Sequence, residues 1–365
     1  MISFNTTTIE PSIVGGKPQA AFVFGAHSDE IRGTFCRIHP RHKITFANAR
    51  TKELPEITAK QWQPMVREAL DGGSSVSLFT YNFREPQGFQ EFADKTALGF
   101  TRFEDGFIRC NGIGSTHLPY SWVFDNSGGL YFSAQRPSDL EKYIQNFDPS
   151  NNVLDRAELL MQTLIGLNLS KYNHGDALDI ATVYGPKTRN RVLVLGQVPD
   201  DQSIALGCDK PLSNNDLVRL AHQEMGRDCD ILYRPHPYVL HGNKNDKDSD
   251  PAEVANIATV ITQSMPLPTA LQTIDHVYVQ SSLAGFEAVI RGIPVTTTGC
   301  PFYSGWNNPL IDSRQPNPRR TATRSTLEIF AAAYIQYPRY FDPQTGCNLQ
   351  AIDVLKILAE QRTAR

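Results

Sequence analysis

No apolar run in this chain approaches the length that crosses a bilayer, so any membrane contact is expected to be peripheral. The six cysteines (Cys36, Cys110, Cys208, Cys229, Cys300 and Cys347) stand singly. Without a Cys-x-x-Cys pair, neither a zinc site nor a redox motif is expected. No spacing suggests disulfides, and the polar, Thr-rich stretch Met1–Pro11 carries no secretory signal, which makes the cytoplasm the expected compartment. Charge of one sign is not in excess. The net charge of −3 argues against a nucleic-acid partner. There is no Gly-x-x-x-x-Gly-Lys run and no Gly-x-Gly-x-x-Gly after a strand, which excludes the usual phosphate-cradling fingerprints. No Asp-x-Asp stands out as a divalent-metal site, so metal independence is expected, with no cofactor. Internal repeats and low-complexity tracts are absent too.

What is there is a chain of 365 residues, 40% apolar and 20% charged, long enough for two domains with their own cores. Ala20–Phe24, Ile44–Ala47, Ser75–Tyr81 and the run into Glu104-Asp105-Gly106 read as strands. Ala59–Leu70 and Gly88–Lys95 read as helices. That alternation predicts a parallel sheet covered on both faces. Trp122–Asp125 and Leu130–Phe132 read as strands around a Ser127-Gly128-Gly129 turn. Pro137–Tyr143 and Arg156–Leu167 read as helices, and Asn168–Gly175 as a polar break. A second alternation begins at Arg191, with strands at Val192–Leu195, Ile231–Tyr233, Val277–Val279 and Ile293–Thr296. Helices at Asn215–Met225, Leu267–Thr273 and Leu283–Ile290 lie between them, with a charged insertion at Asn243–Pro251. Ser325–Tyr337 reads as a helix, Pro338–Gly346 as a loop and Asn348–Gln361 as a last helix. The domains expected are 1–190, with a helical insertion, and 191–345, followed by a C-terminal helix over 346–365 placed to pack back on the first domain.

The stretch from His276 to Gly299 organises the second half. A buried strand runs straight into Ser281-Ser282, either of which caps a helix, and Gly292 ends that helix. A helix start with hydroxyls and unpaired N–H groups suits a nucleotide phosphate, with Glu287 in reach of a ribose. An ordinary capped helix accounts for the same residues. In open α/β sheets ligands bind beyond the carboxyl ends of strands. The loops there carry Asp200, Asp201, His236, Ser281 and Ser282. His236 lies between Pro235 and Pro237, which stiffen the loop and aim an imidazole able to serve a phosphate leaving group or act as general acid. Glu104 and Asp105 form an acidic pair at a strand end in the first half, matched by Asp200-Asp201 in the second. One pair per half suits glycosyl chemistry around an oxocarbenium-like centre. Arg102, Arg109, Arg234, Arg319 and Arg320 are candidate partners for a carboxylate on a donor sugar.

Several separated runs resemble one family. Phe103-Glu104-Asp105-Gly106-Phe107-Ile108-Arg109 with Gly112 and Gly114, and Gly196-Gln197-Val198-Pro199-Asp200-Asp201-Gln202-Ser203-Ile204, are similar to the capsular-polysaccharide β-Kdo transferase family (the KpsC type). So are Arg234–Pro237, Ser281-Ser282-Leu283-Ala284-Gly285-Phe286-Glu287-Ala288, Pro301–Trp306 and Tyr337-Pro338-Arg339-Tyr340. The likeness runs in the family's order from about Glu104 onward. It implies an α/β, GT-B-like fold, two Rossmann-type domains facing each other across a cleft. It implies a transferase that takes Kdo from CMP-β-Kdo with retention and passes it to a glycan or glycolipid acceptor, peripheral on the inner membrane beside capsule-assembly proteins. Bacterial sialyltransferases share the acidic-acidic-Gly, His-Pro and Ser-Ser elements. Carried over, Asp201 is the candidate covalent nucleophile, since retention implies a double displacement. Glu104 or Asp105 handles the acceptor proton and His236 the cytidylate phosphate. Gln197, Arg234, Pro237, Ser281, Ser282 and Glu287 line the donor. Two readings stand beside this one: transfer of another CMP-nonulosonate such as sialic acid, and an idle glycan- or nucleotide-binding module. Members of the family usually carry two modules in tandem, and this chain has room for one. Asn307 stands where the family pattern has Gly.

Overall fold

The computed structural model describes residues 4–26, 28–49, 53–112, 117–149, 152–173, 175, 178–226, 228–240 and 249–363. Gly114 and most of the charged insertion (241–248) lie outside them. In chain order the elements begin with β1 (Thr6–Ile9), β2 (Gln19–Phe24), α1 (Asp29–Ile38), β3 (His42–Ala47), α2 (Ala59–Asp71), β4 (Ser75–Tyr81), α3 (Phe89–Thr96), β5 (Thr101–Asp105) and β6 (Ser121–Asp125). Next come α4 (Asp139–Gln145), α5 (Val153–Gly166), α6 (Ile180–Tyr184), β7 (Asn190–Leu195), α7 (Gln202–Gly207), α8 (Asn214–Met225), β8 (Cys229–Arg234), α9 (Pro237–Leu240), β9 (Thr259–Val260), α10 (Leu267–Ala270), β10 (His276–Val279), α11 (Leu283–Val289), β11 (Val295–Thr297), β12 (Ile311–Ser313) and α12 (Thr326–Ala331). The chain closes with β13 (Pro338–Tyr340) and α13 (Ala351–Thr363). Among the described residues no helix is long and apolar enough to cross a membrane.

Two compact units result: Met1–Leu130 with Tyr337–Arg365, and Tyr131–Gln336. The first boundary therefore falls after Leu130, not at 190. The reason is apolar packing: α5 buries Val153, Ala157, Leu160 and Leu164 and packs on α12, both within the second unit.

In the first unit the sheet order is β1-β3-β2-β4-β5-β6-β13. Strands β3, β2, β4 and β5 run parallel, while β1, β6 and their partners pair antiparallel. Strand alternation puts Ala20, Phe22 and Phe24 against Trp62, Val66, Phe89 and Phe92 of α2 and α3. Ala21 and Val23 face the other way, toward Phe35 of α1, Trp122 and Phe341. α2 starts at a Thr58–Gln61 capping box. Pro338 opens β13, which pairs with β6; the expected loop there is an edge strand, where a proline's missing donor is tolerated. α13 is tied to this unit by the Asn111 amide, which donates to the Leu358 carbonyl at 2.6 Å.

His39 ends α1 with its ring stacked on Phe35, 4.3 Å between centroids, and its Nδ1 3.1 Å from the Phe35 carbonyl. Burial brings its pKa down to about 4; the Phe35 carbonyl opposes this, and His42 and Arg339 add to it. A histidine held neutral by the fold adds stability that is complete above the unfolded value near 6.5 and lost as pH falls toward 4. Urea midpoints are therefore expected to drop between pH 7.5 and 5 more steeply for the natural protein than for His39→Phe, with about 2–3 kcal/mol at stake.

In the second unit all strands of the described sheet are parallel, in the order β9-β8-β7-β10-β11-β12. Relative to chain order this is 3-2-1-4-5-6, the Rossmann arrangement, whose switch point lies between β7 and β10. Tyr233, Val192, Val194 and Tyr278 pack with Leu217, Val218 and Ala221 of α8 on one face. α4 is joined to the 300–324 segment by charge. Glu141 accepts from Arg319 Nε at 2.6 Å and from Arg320 Nε at 3.0 Å, and Arg324 caps α4 through the Ile144 and Gln145 carbonyls. The expected Ser325–Tyr337 helix is α-helical only to Ala331 and continues as a π turn over Ala332–Gln336.

Candidate active site

In the first unit β2 and β4 are neighbours from which the chain departs in opposite directions, and β5 lies beside β4. Their carboxyl ends converge. A Cβ on Gly25, whose φ is +78°, would sit 2.7 Å from Arg84 Cβ and 3.0 Å from the Tyr81 carbonyl, so only glycine lets these two strand exits meet. Glu104 comes from β5 and is half-buried. Its Oε1 accepts from Tyr81 O–H and its Oε2 from Asn82 Nδ2. Asp105, on the opposite side of the strand, is committed elsewhere. Arg109 Nε donates to it at 2.5 Å and Trp122 Nε1 at 3.3 Å, both buried. Among the described residues the two acidic side chains thus have different partners: Asp105 meets a buried guanidinium, and Glu104 meets the Tyr81 hydroxyl and the Asn82 amide.

In the second unit β8, β7 and β10 end side by side, carrying His236, Gln197 with Asp201, and Ser281-Ser282. Gly196 donates its N–H to the Arg234 carbonyl, and a Cβ there would lie 3.1 Å from His236 N. Across the switch point the exits are bolted together. Ser281 N–H donates to Gln197 Oε1 at 2.9 Å, and Gln197 Nε2 donates to the Ser281 and Ser203 hydroxyls at 3.2 and 3.3 Å. The Ser281 hydroxyl donates to the Ser203 carbonyl at 2.9 Å. Asn214, through its side-chain amide, takes up both the N–H and the carbonyl of Gln197. The hydroxyl of Ser281 is thereby spent inside the protein, while Ser282 is the N-cap of α11. Asp201 caps α7 by accepting Ser203 N–H at 2.8 Å and is exposed. Gln197→Ala strips partners from the buried Ser281 N–H and hydroxyl. It is expected to lower the unfolding free energy by about 2–3 kcal/mol, read by urea denaturation.

Other sequence candidates are drawn into the scaffold. Arg234 donates to the Met265 carbonyl at 2.5 Å, and burial lowers its pKa. Arg102 pairs with Glu85 between the Phe83 and Phe100 rings. Arg319 and Arg320 hold Glu141. None of these cations needs a sugar carboxylate to account for its position. Glu287 is only 2% exposed. Its Oε1 accepts Lys171 N–H at 3.0 Å, and its Oε2 has no partner among the described residues. Burial pushes its carboxyl up from the ordinary glutamate range. The ribose contact expected from the sequence would therefore be made by a buried carboxylate already engaged by the 170–173 segment. Pro237 opens the short α9. Tyr81, Asn82, Trp122 and Asn214 complete the two clusters and were not singled out from sequence, whereas Ser203 stands in the 196–204 run that carries the resemblance. Only Asn82, next to a strand end, has a residue type that signals a left-handed turn.

Residues 79–340 match the family described as capsule polysaccharide biosynthesis protein, and the chain belongs to that family. Its fold is α/β of the GT-B type, two Rossmann-like units, as the sequence resemblance implied. It is 41% identical over 285 residues to the lipopolysaccharide-processing protein LpsZ of Rhizobium meliloti, covering 77% of this chain and 63% of that one. It is 35% identical over 271 residues to the capsule polysaccharide modification protein LipA of Neisseria meningitidis serogroup B, covering 74% of this chain and 38% of that one. The chain thus spans less than two thirds of either curated relative. Among solved structures, the β-Kdo 2,4 transferase of Thermosulfurimonas dismutans KpsC aligns with a TM-score of 0.72 at 26% identity, over 94% of this chain and 99% of that one. The β-Kdo 2,7 transferase of the same KpsC aligns with a TM-score of 0.67 at 25% identity.

Proposed function

We propose that the chain is a retaining β-Kdo transferase of capsule polysaccharide assembly, using CMP-β-Kdo as donor and a glycan or glycolipid as acceptor, without a metal. The observation that carries this reading is the near full-length likeness to a solved β-Kdo transferase. In the reaction, the Asp201 carboxylate attacks C2 of Kdo, the C2–O bond to the phosphate breaks, and CMP leaves with the bonding pair. The acceptor hydroxyl then attacks C2, its proton passes to Glu104, and the C2–O bond to Asp201 breaks. Two inversions give net retention. His236 and Ser282 serve the phosphate. The tie between Gln197 and Ser281 supports the reading, because it sets the Asp201 turn in register with the strand exit that precedes Ser282. Peripheral association with the inner membrane and with other capsule-assembly proteins belongs to the same proposal.

The test is turnover: CMP-Kdo generated in situ, a synthetic Kdo-terminated lipid acceptor, a chelator, and mass spectrometry of the product. A gain of one Kdo residue, lost in His236→Ala, is expected. Transfer of sialic acid from CMP-sialic acid, with none of Kdo, would replace the donor assignment. Binding of CMP without turnover of either donor would favour a non-catalytic module.

A further inference from the structure

Among the described residues, three donors that carry no charge reach the Glu104 carboxylate. Tyr81 O–H reaches Oε1 at 2.9 Å, the Asp105 N–H reaches the same oxygen at 2.9 Å, and Asn82 Nδ2 reaches Oε2 at 2.7 Å. Asn82 is in the left-handed region, with φ 61°. It is fixed there from both sides: its N–H donates to the Phe103 carbonyl at 2.9 Å, its Oδ1 accepts Phe83 N–H at 2.8 Å, and Arg102 donates to its carbonyl at 3.2 Å. A non-glycine residue held in that conformation by three bonds points to a side chain whose aim matters. Tyr81 is equally fixed, buried against Phe103 at 5.2 Å between ring centroids.

We propose that Tyr81 and Asn82 are positioning residues that hold Glu104 ionised and aimed, so that it serves as the base for the acceptor hydroxyl. The proposal rests on the transferase reading above. The chemistry asks for a base at this point and not an acid: a nucleoside monophosphate leaves as a stable anion, whereas the acceptor hydroxyl must lose its proton as it attacks. Donors to the charged form favour the carboxylate over the carboxylic acid. Half-burial and the neighbouring Asp105 work against ionisation, and Arg109 offsets the latter through its ion pair. The other titratable or charged groups facing this corner among the described residues are Arg84, whose guanidinium lies over the Tyr81 ring, Arg102 with Glu85, and Cys110 beside Arg109. Burial, reinforced by Glu104 and Asp105, raises the Tyr81 phenol well above its ordinary value. It therefore stays a donor throughout the working pH range.

The experiment is the pH profile of kcat/KM for the acceptor in the full chain, for the natural protein, Tyr81→Phe and Asn82→Gly. Glycine tolerates the left-handed backbone and removes only the amide. Each substitution is expected to move the acid limb up by about one pH unit, with activity recovering toward the natural plateau at alkaline pH and the donor KM unchanged. A lowered plateau with an unmoved limb would overturn the proposal and leave the two residues a packing role. A second readout needs no turnover: carbon-13 NMR titration of the glutamate carboxyls, with Glu104 assigned from Glu104→Gln. The expected result is a Glu104 midpoint below the ordinary glutamate value that rises in both variants. A midpoint that stays put in both variants would overturn it. If the midpoint moves as expected while Glu104→Gln keeps full transfer, the assignment of Glu104 as base fails, and with it the proposal.

Discussion

Asp201→Asn is expected to lower transfer by about 10³-fold or more while leaving the fold intact. The substitution separates two jobs that one side chain performs. Asp201 caps α7 through a bond to the Ser203 N–H, and Asn caps a helix about as well as Asp. The turn and its ties to Gln197 and Ser281 should therefore survive. What the amide cannot do is attack C2 of Kdo. Asp201→Ala makes the useful contrast, because it removes the cap as well and should cost about 1 kcal/mol in stability on top of the activity. Two measurements check this: CMP release in the presence of acceptor, and intact mass after exposure to donor alone, where the natural protein should gain one Kdo residue and Asp201→Asn none. Full activity in Asp201→Asn would remove Asp201 from the mechanism.

Glu141→Ala should produce the largest loss of stability, about 3–5 kcal/mol. The Glu141 side chain is 6% exposed and that of Arg320 1%. Truncation would leave the Arg320 guanidinium buried without a carboxylate, against the Pro301 and Ser304 carbonyls, the Ser304 hydroxyl and the Trp306 ring. Removing one member of a buried pair is more damaging than never having built it, because the remaining charge stays desolvated. Arg319→Ala should cost far less. Its side chain is 35% exposed, and water can replace much of what it loses. Urea denaturation of the two variants side by side checks the ratio. Equal losses would mean that the Glu141–Arg320 pair contributes nothing beyond the Glu141–Arg319 pair.

Much of the architecture was legible in the sequence because its signals are local. Ser75–Tyr81 alternates and is followed by turn residues, and it is a strand with those bounds. Ser213 and Ser282 cap the helices they precede. β12 and β13 escaped notice because three-residue strands carry almost no period, and β13 opens on a proline. α1 was missed although Ser28 caps it and Ile31, Thr34 and Phe35 form its buried stripe; Gly33 in mid-helix weakens the local signal. The site was legible as a set of loops but not as a set of roles. Glu104 and Asp105 look equivalent in a string of letters, and only tertiary structure gives Asp105 to Arg109. Likewise nothing in Ser281-Ser282 says that the first hydroxyl is consumed by Gln197 and the Ser203 carbonyl. The sequence put Glu287 in reach of a ribose, and only tertiary structure buries it with Oε1 on the Lys171 N–H, 116 positions away.

The order of the chain has a consequence for how the protein is made. β13 and α13 complete the first unit's sheet, yet all of residues 131–336 are synthesised before them. At about 5–20 residues per second that interval lasts on the order of ten to forty seconds. Throughout it the nascent first unit offers β6 as an open edge, with Trp122 still lacking the Phe341 ring that packs on it at 5.4 Å. An open strand rich in aromatics is a template for wrong pairing. Only when Pro338–Tyr340 emerges and pairs with β6 is that edge closed.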